Sequence, residues 1–235
     1  MSAAQIVEEL RGMGSGSIRK VLLNHGAPEP VLGVRIGDMK PIQKRIGMDY
    51  QLALDLFDTG IYDAMYLAGL IADDLKMSKK DLNHWLKTAG SGPACGCTVA
   101  WVAAESHHGH ELAMEWIDAK DPGVAATGWA TLSSLVSIKA DAELDIPELK
   151  KLVQRVQKTI QKQPDALRKA MNGFVIAVGS YVRPLTDFAI ETAEQIGEVE
   201  VDVGDTACKI PFAPDYIRKA VKRNPMGKKR ATAKC

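Results

Sequence analysis

The amino-acid sequence predicts an all-α protein, an α-solenoid built from successive pairs of short helices. Three observations favour this fold class. Apolar residues recur with helical spacing from Ser2 to about Ile196, glycines and prolines interrupt the pattern once per ordinary helix length, and N-cap residues stand at several interruptions. Together they divide the chain into about a dozen helices.

Three of the expected helix starts carry capping residues. Ser2 with Gln5 has the pattern of a capping box, and so does Ser78 with Asp81. Asp121-Pro122 places a cap before a proline at the first helical position. We therefore expect helices to begin at these three points.

Between residues 50 and 138 the predicted helices come in three consecutive pairs. Their bounds are Tyr50–Asp58 with Ile61–Leu75, Ser78–Lys87 with Cys95–Glu105, and Gly109–Asp118 with Asp121–Ile138. A pair length of roughly 30 to 40 residues is near that of a helical repeat, which favours a solenoid over a bundle. One helix of each pair then lines a concave surface that can hold an extended ligand.

One segment near the C-terminus departs from helical spacing. Valines alternate with acidic residues from Glu198 to Val203, and Gly204-Asp205 supplies a turn before the segment Cys208–Phe212. This pattern predicts a short hairpin or extended segment.

The composition is that of an ordinary globular protein, with 46% hydrophobic and 25% charged residues. It excludes disordered and collagen-like chains. The longest apolar stretches, such as Phe174 to Val178, are far shorter than the roughly 20 residues of a membrane-spanning helix. Glu8 and Glu9 occupy the first turns where a secretory signal would be basic and then apolar, so we expect a cytoplasmic protein.

Cysteines and histidines raise the question of a metal site. The four cysteines are Cys95, Cys97, Cys208 and Cys235, too few for a disulfide framework in a chain of 235 residues. Cys-x-Cys at Cys95 and Cys97, followed by His107, His108 and His110, does not match the usual zinc spacings. We expect no metal and no other cofactor.

Basic residues are concentrated at the C-terminus. From Arg218 to the end there are eight basic residues and no acidic one, which leaves 22 basic and 29 acidic residues before it, a net charge of −7. We expect a single helical-repeat domain over residues 1–217 and a flexible basic tail over residues 218–235. Such a tail either contacts nucleic acid or only aids solubility.

The segment from Glu148 to Lys162 has the clearest helical pattern. Its apolar residues share one face and are Leu149, Leu152, Val153, Val156 and Ile160. Its basic residues recur on the opposite face and are Lys151, Arg155, Lys158 and Lys162. Like charges at this spacing repel by a few tenths of a kcal/mol, so the row indicates either a phosphate-facing surface or a solvated lysine-rich face.

Trp101 and Glu105 are four residues apart and share a helix face. A ring beside a carboxylate suits base excision, because the ring stacks on a nucleotide and the anion stabilises the positive charge that develops as the glycosidic bond breaks. The alternative is a buried tryptophan beside a surface glutamate.

Two stretches, with the helical spacing between them, resemble the DNA alkylation repair family of HEAT-like-repeat proteins. They run from Gly33 to Ile42 (GVRIGDMKPI) and from Arg168 to Phe174 (RKAMNGF). Characterised members are DNA glycosylases that remove alkylated purines. The resemblance covers about Gly33 to Ile196, and it implies an α-solenoid that holds duplex DNA in a basic concave groove.

The resemblance also implies where catalytic groups would lie. Family glycosylases carry Trp-x-x-x-Asp on the helix after the one that ends here near Lys87, an arginine in the next repeat pair, and a tryptophan after the glycine that corresponds to Gly173. This chain has Gly92–Cys97, Ala126–Ala130 and Phe174 at these places. Phenylalanine can replace tryptophan as a stacking wall, but no residue of Gly92–Cys97 can replace the anion.

Three hypotheses of function follow. The first is a DNA-binding member of this family with weak or absent glycosylase activity. The second, favoured by the net acidic body, is a helical-repeat scaffold that binds a protein partner. The third is an active glycosylase with Trp101 and Glu105 as its catalytic residues. The residues expected to contact DNA are Lys40, Lys44, Lys151, Arg155, Lys158, Lys162, Phe174, Lys222 and Arg223.

Overall fold

The computed structural model describes residues 1–90, 92, 95–202, 208–225 and 227–234. This part of the chain contains thirteen α-helices and no β-strand, so the predicted all-α fold class is confirmed. The predicted C-terminal hairpin is wrong: residues 198–202 form no regular secondary structure, and Val203 to Ala207 lie outside the described residues. The physical reason is that a short alternating run cannot form a stable ribbon without further strands or a packed face.

The helices group into two compact units. The first contains residues 1–90, 92, 95–108 and 234 of the described chain. Its α-helices are α1 (Ala3–Met13), α2 (Gly16–Asn24), α3 (Ile36–Ile46), α4 (Tyr50–Phe57), α5 (Tyr62–Ile71), α6 (Lys79–Ala89) and α7 (Ala100–Glu105). A π-helical segment, Cys95–Val99, leads into α7.

Stacked aromatic rings form the centre of the first unit. The rings of Phe57 on α4 and Trp85 on α6 are parallel within 8°, with 4.0 Å between centroids, and both side chains are fully buried. Gly69 on α5 allows a close approach to Thr98, since a Cβ there would lie 2.3 Å from the Thr98 methyl group. These contacts pack the predicted pairs α4–α5 and α6–α7 into one core.

A buried carboxylate fixes the segment before α3. Asp63 is 1% exposed and accepts hydrogen bonds from three backbone amides, those of Leu32 (2.6 Å), Gly33 (3.3 Å) and Val34 (2.7 Å). Gly33 has φ = +83°, and a Cβ there would lie 2.4 Å from the Ser15 carbonyl oxygen. The Asp63 carboxylate and the positive φ of Gly33 therefore fix the backbone at the start of the family-like stretch.

The second unit contains residues 109–202, 208–225 and 227–233 of the described chain. Its α-helices are α8 (Gly109–Trp116), α9 (Pro122–Ile138), α10 (Ile146–Thr159), α11 (Asp165–Tyr181), α12 (Thr186–Ile196) and α13 (Ala213–Arg223). Short 3-10 helices at Asp141–Glu143, Ile160–Lys162 and Arg183–Leu185 lie between them.

The core of the second unit lies around the long helices α9 and α11. Trp129 on α9 packs against Phe174 on α11, with 5.0 Å between ring centroids and both side chains buried. Gly179 on α11 lets α13 approach closely, because a Cβ there would lie 2.7 Å from the Ile217 Cδ1 atom. This close contact brings the end of α11 beside the middle of α13.

The predicted helix starts are confirmed. The side chains of Ser2 and Ser78 cap α1 and α6, and each forms the full capping box. Asp121 caps α9 by accepting hydrogen bonds from the amides of Gly123 (2.8 Å) and Val124 (3.0 Å). Each cap satisfies amides that the helix leaves unpaired at its N-terminus.

The expected domain boundary at residue 218 falls inside α13. Arg218 to Arg223 form the second half of this helix, and residues 227–233 belong to the second unit. Lys229 is largely buried, with its ammonium group 2.7 Å from Asp141 Oδ1 and 2.9 Å from the Val136 carbonyl oxygen. Arg218 to Arg223 therefore belong to a helix, and Lys229 is held by contacts within the second unit.

Candidate nucleic-acid interface

Lys151, Lys158 and Lys162 are exposed on α10 and on the 3-10 turn that follows it. All five apolar residues predicted for the opposite face are buried. At 100° per residue, Lys151 and Lys158 lie about 20° apart around the helix axis, so they point in nearly the same direction. None of the three makes a salt bridge within the described chain, and their charges are available to an anionic ligand.

Arg155 differs from its three neighbours. Its guanidinium lies 2.7 Å from Asp118 Oδ1, donates a 3.0 Å hydrogen bond to the Ile117 carbonyl oxygen and lies 5.7 Å from the Trp129 ring centroid. Asp118 and Ile117 lie between α8 and α9. Arg155 therefore joins α10 to this loop, and its charge is partly neutralised.

A second exposed basic group lies on α13. Lys219, Lys222 and Arg223 are exposed, whereas Arg218 forms ion pairs with Glu194 on α12 and Asp215. Lys222 and Arg223 occupy the last turn of the helix, where a positive charge interacts favourably with the negative end of the helix dipole. The basic pattern of the sequence predicts Lys222 and Arg223 as DNA contacts, and the structure adds Lys219 to this group.

A third basic pair belongs to the first unit. Lys40 and Lys44 are exposed on α3, one turn apart. The neighbouring Arg45 is held by Glu9 of α1, and this ion pair raises the pKa of Arg45. Lys40 and Lys44 remain free to meet an anion.

Phe174 lies in the core and not on the surface. Its side chain is 0% exposed and its ring packs against Trp129. Stacking on an unpaired base would require these two rings to separate. The sequence pattern could not distinguish a stacking wall from a core ring, because both are apolar residues on a helix.

Trp101 and Glu105 share α7 as expected, but Trp101 is only 8% exposed. Its ring makes an edge contact with Tyr66 on α5, with 5.5 Å between centroids. Glu105 lies near Asp74, and together with burial, the larger cause, it raises the pKa of Asp74 to about 6. Lys234 opposes this shift through an ion pair of 2.7 Å with Asp74.

Lys234 also donates a hydrogen bond of 3.1 Å to the Ala72 carbonyl oxygen at the end of α5. Its side chain and that of Asp74 are largely buried. This ion pair is an internal contact of the first unit, so Lys234 does not belong with the exposed cations.

The described histidine and cysteine side chains pair with other groups or lie apart from one another. Among the described residues, no group of three or more histidine, cysteine or acidic side chains is placed to hold a metal ion. His110 instead contacts Glu148 on α10 at 2.5 Å.

Comparison with known proteins identifies the family. A family model for DNA alkylation repair enzymes matches residues 6–202 of the chain. The chain belongs to the DNA alkylation repair enzyme family. The resemblance inferred from Gly33 to Ile42 and Arg168 to Phe174 is thereby confirmed.

Relatives in this family cover almost the whole chain. The uncharacterized proteins Lin0241 of Listeria innocua serovar 6a and Lmo0209 of Listeria monocytogenes serovar 1/2a are each 30% identical over 226 residues, covering 93% of this chain and 97% of the relative. A solved structure is 33% identical with a TM-score of 0.91, and the match covers 100% of both chains. That structure represents a new family of proteins related to the HEAT-like repeat DNA glycosylases with affinity for branched DNA structures.

The HEAT-like repeat fold expected from the resemblance is confirmed by this neighbour. The resemblance places the Trp-x-x-x-Asp of family glycosylases at Gly92–Cys97. Within this stretch Pro93 and Ala94 lie outside the described residues. The sequence Gly-Pro-Ala-Cys-Gly-Cys contains no carboxylate there.

No helix in the described ranges is both long and apolar enough to cross a membrane.

Proposed function

We propose that the protein binds DNA, with a preference for branched DNA over linear duplex, and contacts mainly the phosphate backbone. The observation that carries this proposal is the match to the solved structure at 33% identity and a TM-score of 0.91 over both full chains. A likeness of that extent at that identity makes a shared ligand class the simplest expectation.

The exposed cations support the same ligand. In the second unit, exposed basic residues without an ion pair in the described part of the chain are Lys151, Lys158, Lys162, Lys219, Lys222 and Arg223, and Lys40 and Lys44 are exposed in the first unit. Each lysine that meets a phosphate releases condensed counterions, which favours binding whatever the base sequence. Backbone contacts of this kind fix the protein on DNA without selecting a sequence.

We further propose that base excision is weak or absent. Cleavage of a glycosidic bond needs an anion near the sugar as positive charge develops, and Gly92–Cys97 supplies none. Phe174 is buried against Trp129, and Trp101 is nearly buried, so neither ring offers an open face to an extruded base. These features favour binding over chemistry.

Fluorescence anisotropy with the full chain tests the proposal. A fully paired four-way junction and a linear duplex of the same length and ionic conditions are titrated, and the junction is expected to bind more tightly. Equal affinity for both DNAs would overturn the preference for branched DNA. Absence of binding to either at low salt would overturn DNA binding itself and favour the protein-scaffold alternative.

A further inference from the structure

A cavity of about 280 Å³ lies between the end of α11 and one face of α13. Its walls include Ser180 and Tyr181 from α11, and Tyr216, Lys219 and Arg223 from α13. The three α13 residues are spaced by three and four positions, which places them on one face of the helix. The volume is close to the lower limit of about 300 Å³ for pockets that hold small molecules.

Aromatic rings and positive charge meet in this cavity. Tyr216 is 51% exposed, an unusual amount for a large aromatic side chain on a helix whose Ile217 is fully buried. Lys219 and Arg223 follow it along the same helix face and are exposed, while Arg218 is already paired with Glu194. The ring is thus open to a stacking partner, and the two cations are open to an anion.

Ser180 adds a polar group that lacks a partner. It is 7% exposed, and its hydroxyl makes no hydrogen bond within the described residues. Hydroxyls on α9 behave differently, since Thr127, Thr131 and Ser133 each bond a carbonyl oxygen four residues earlier. A buried hydroxyl left unpaired costs free energy. The Ser180 oxygen is itself covered, so a rotation of this side chain is needed before the hydroxyl can bond a group in the cavity.

We propose that this cavity binds one unpaired nucleotide of a DNA strand, with the base on Tyr216 and its phosphate between Lys219 and Arg223. Rotation of the Ser180 side chain then lets its hydroxyl hydrogen-bond a polar edge of the base or sugar. This inference rests on the proposed DNA binding and specifies which part of a branched structure the protein recognises. Stacking on an aromatic side chain accepts any base, which suits a protein that recognises structure and not sequence.

A base in intact duplex can enter only after it is flipped out, which costs free energy, because its faces are covered by neighbouring bases. The bases of unpaired arms reach the cavity at the lowest cost of unstacking. The site therefore distinguishes a fork with single-stranded arms from a junction in which every base is paired.

The test compares these two DNAs in anisotropy titrations with the full chain. Loss of one base–aromatic stack costs at least about fivefold in affinity, so Tyr216→Ala is expected to weaken fork binding fivefold or more beyond any effect on the paired junction. Tyr216→Phe keeps the ring and should restore fork binding. Phe212→Ala removes another exposed aromatic side chain beside α13 and serves as the matched control.

The outcomes separate the two proposals. If the wild type binds neither DNA, the proposed function fails. If it binds both and Tyr216→Ala lowers the two affinities equally or not at all, only the nucleotide site is overturned. Competition with free dTMP shows whether the cavity binds a nucleotide of a DNA strand or a free nucleotide. If dTMP displaces the fork only at millimolar concentration, the site is specific for a strand. Displacement at micromolar dTMP would assign the cavity to free nucleotides. Unchanged thermal unfolding of Tyr216→Ala ensures that the fold is intact.

Discussion

Replacing Lys151, Lys158 and Lys162 together with glutamine should reduce the salt dependence of DNA binding. The three side chains are exposed without ion pairs in the described part of the chain, so each can neutralise one phosphate. Each lost contact lowers the slope of log affinity against log salt by about 0.9, which gives a decrease of about 2.7 for the triple variant. Between 50 and 200 mM salt the wild type should therefore lose roughly 40-fold more affinity than the variant.

Arg155 should behave differently from the three lysines. Asp118 partly neutralises its charge and the Ile117 carbonyl accepts one of its N–H groups. Arg155→Gln is expected to change the salt slope by less than about 0.9. It should also lower the free energy of unfolding, because Asp118 loses its partner and the contact between α10 and the loop is removed.

Anisotropy titrations of a four-way junction at five or more salt concentrations measure these slopes. The control replaces Lys20, Lys80 and Lys87, three exposed lysines of the first unit, so that the change in net charge is the same. An unchanged slope in the α10 variant, or an equal decrease in the control, would refute the assignment of these lysines to phosphate contacts. The variants are also compared by thermal unfolding.

Three further predictions concern the first unit. Asp63→Ala should lower the free energy of unfolding in urea by about 3 kcal/mol or more, since three amides lose their acceptor; an effect no larger than that of exposed Asp55→Ala would contradict this. The pKa of Asp74 is raised from 3.8 to about 6 in the folded protein, so between these pH values the native state keeps a proton on Asp74 that the unfolded chain has released. The difference in unfolding free energy between the wild type and Asp74→Asn should therefore fall as pH rises from about 4 to about 6. A difference that is flat or rises over this range would show that Asp74 is not the group responsible. Release of 7-methylguanine or 3-methyladenine from alkylated DNA should stay near background in single-turnover assays, and release that Glu105→Gln abolishes but Glu115→Gln does not would instead establish the Trp101–Glu105 pair as catalytic.

Local features of the sequence determined the helices. Ser2, Ser78 and Asp121 cap the helices that they were expected to cap, because each cap is a contact within a few residues of chain. The apolar side of α10 is buried as its spacing requires. The alternating run at Glu198–Val203 predicted a hairpin that is not formed, because a strand needs a hydrogen-bonded partner and a pattern of period two does not provide one.

The tertiary structure alone determines whether an individual side chain is exposed, buried or paired. Arg155 has the same spacing as the neighbouring lysines, yet it bonds a carbonyl 38 residues away in the chain. Phe174 follows the family-like stretch, yet it is enclosed by Trp129. Lys234 belongs to the basic C-terminal run, yet it is held by Asp74 and the Ala72 carbonyl.

The sequence by itself determined the fold class and the family, since helical periodicity, caps and family-like stretches each depend on residues close together in the chain. Only the tertiary structure decided which cations are free and which rings are open. It also brought Ser180 and Tyr216 to one cavity, although nothing in their separate helices marks them as neighbours. The physical reason is that exposure, ion pairing and cavities depend on contacts between residues far apart in sequence, and these form only when the helices pack.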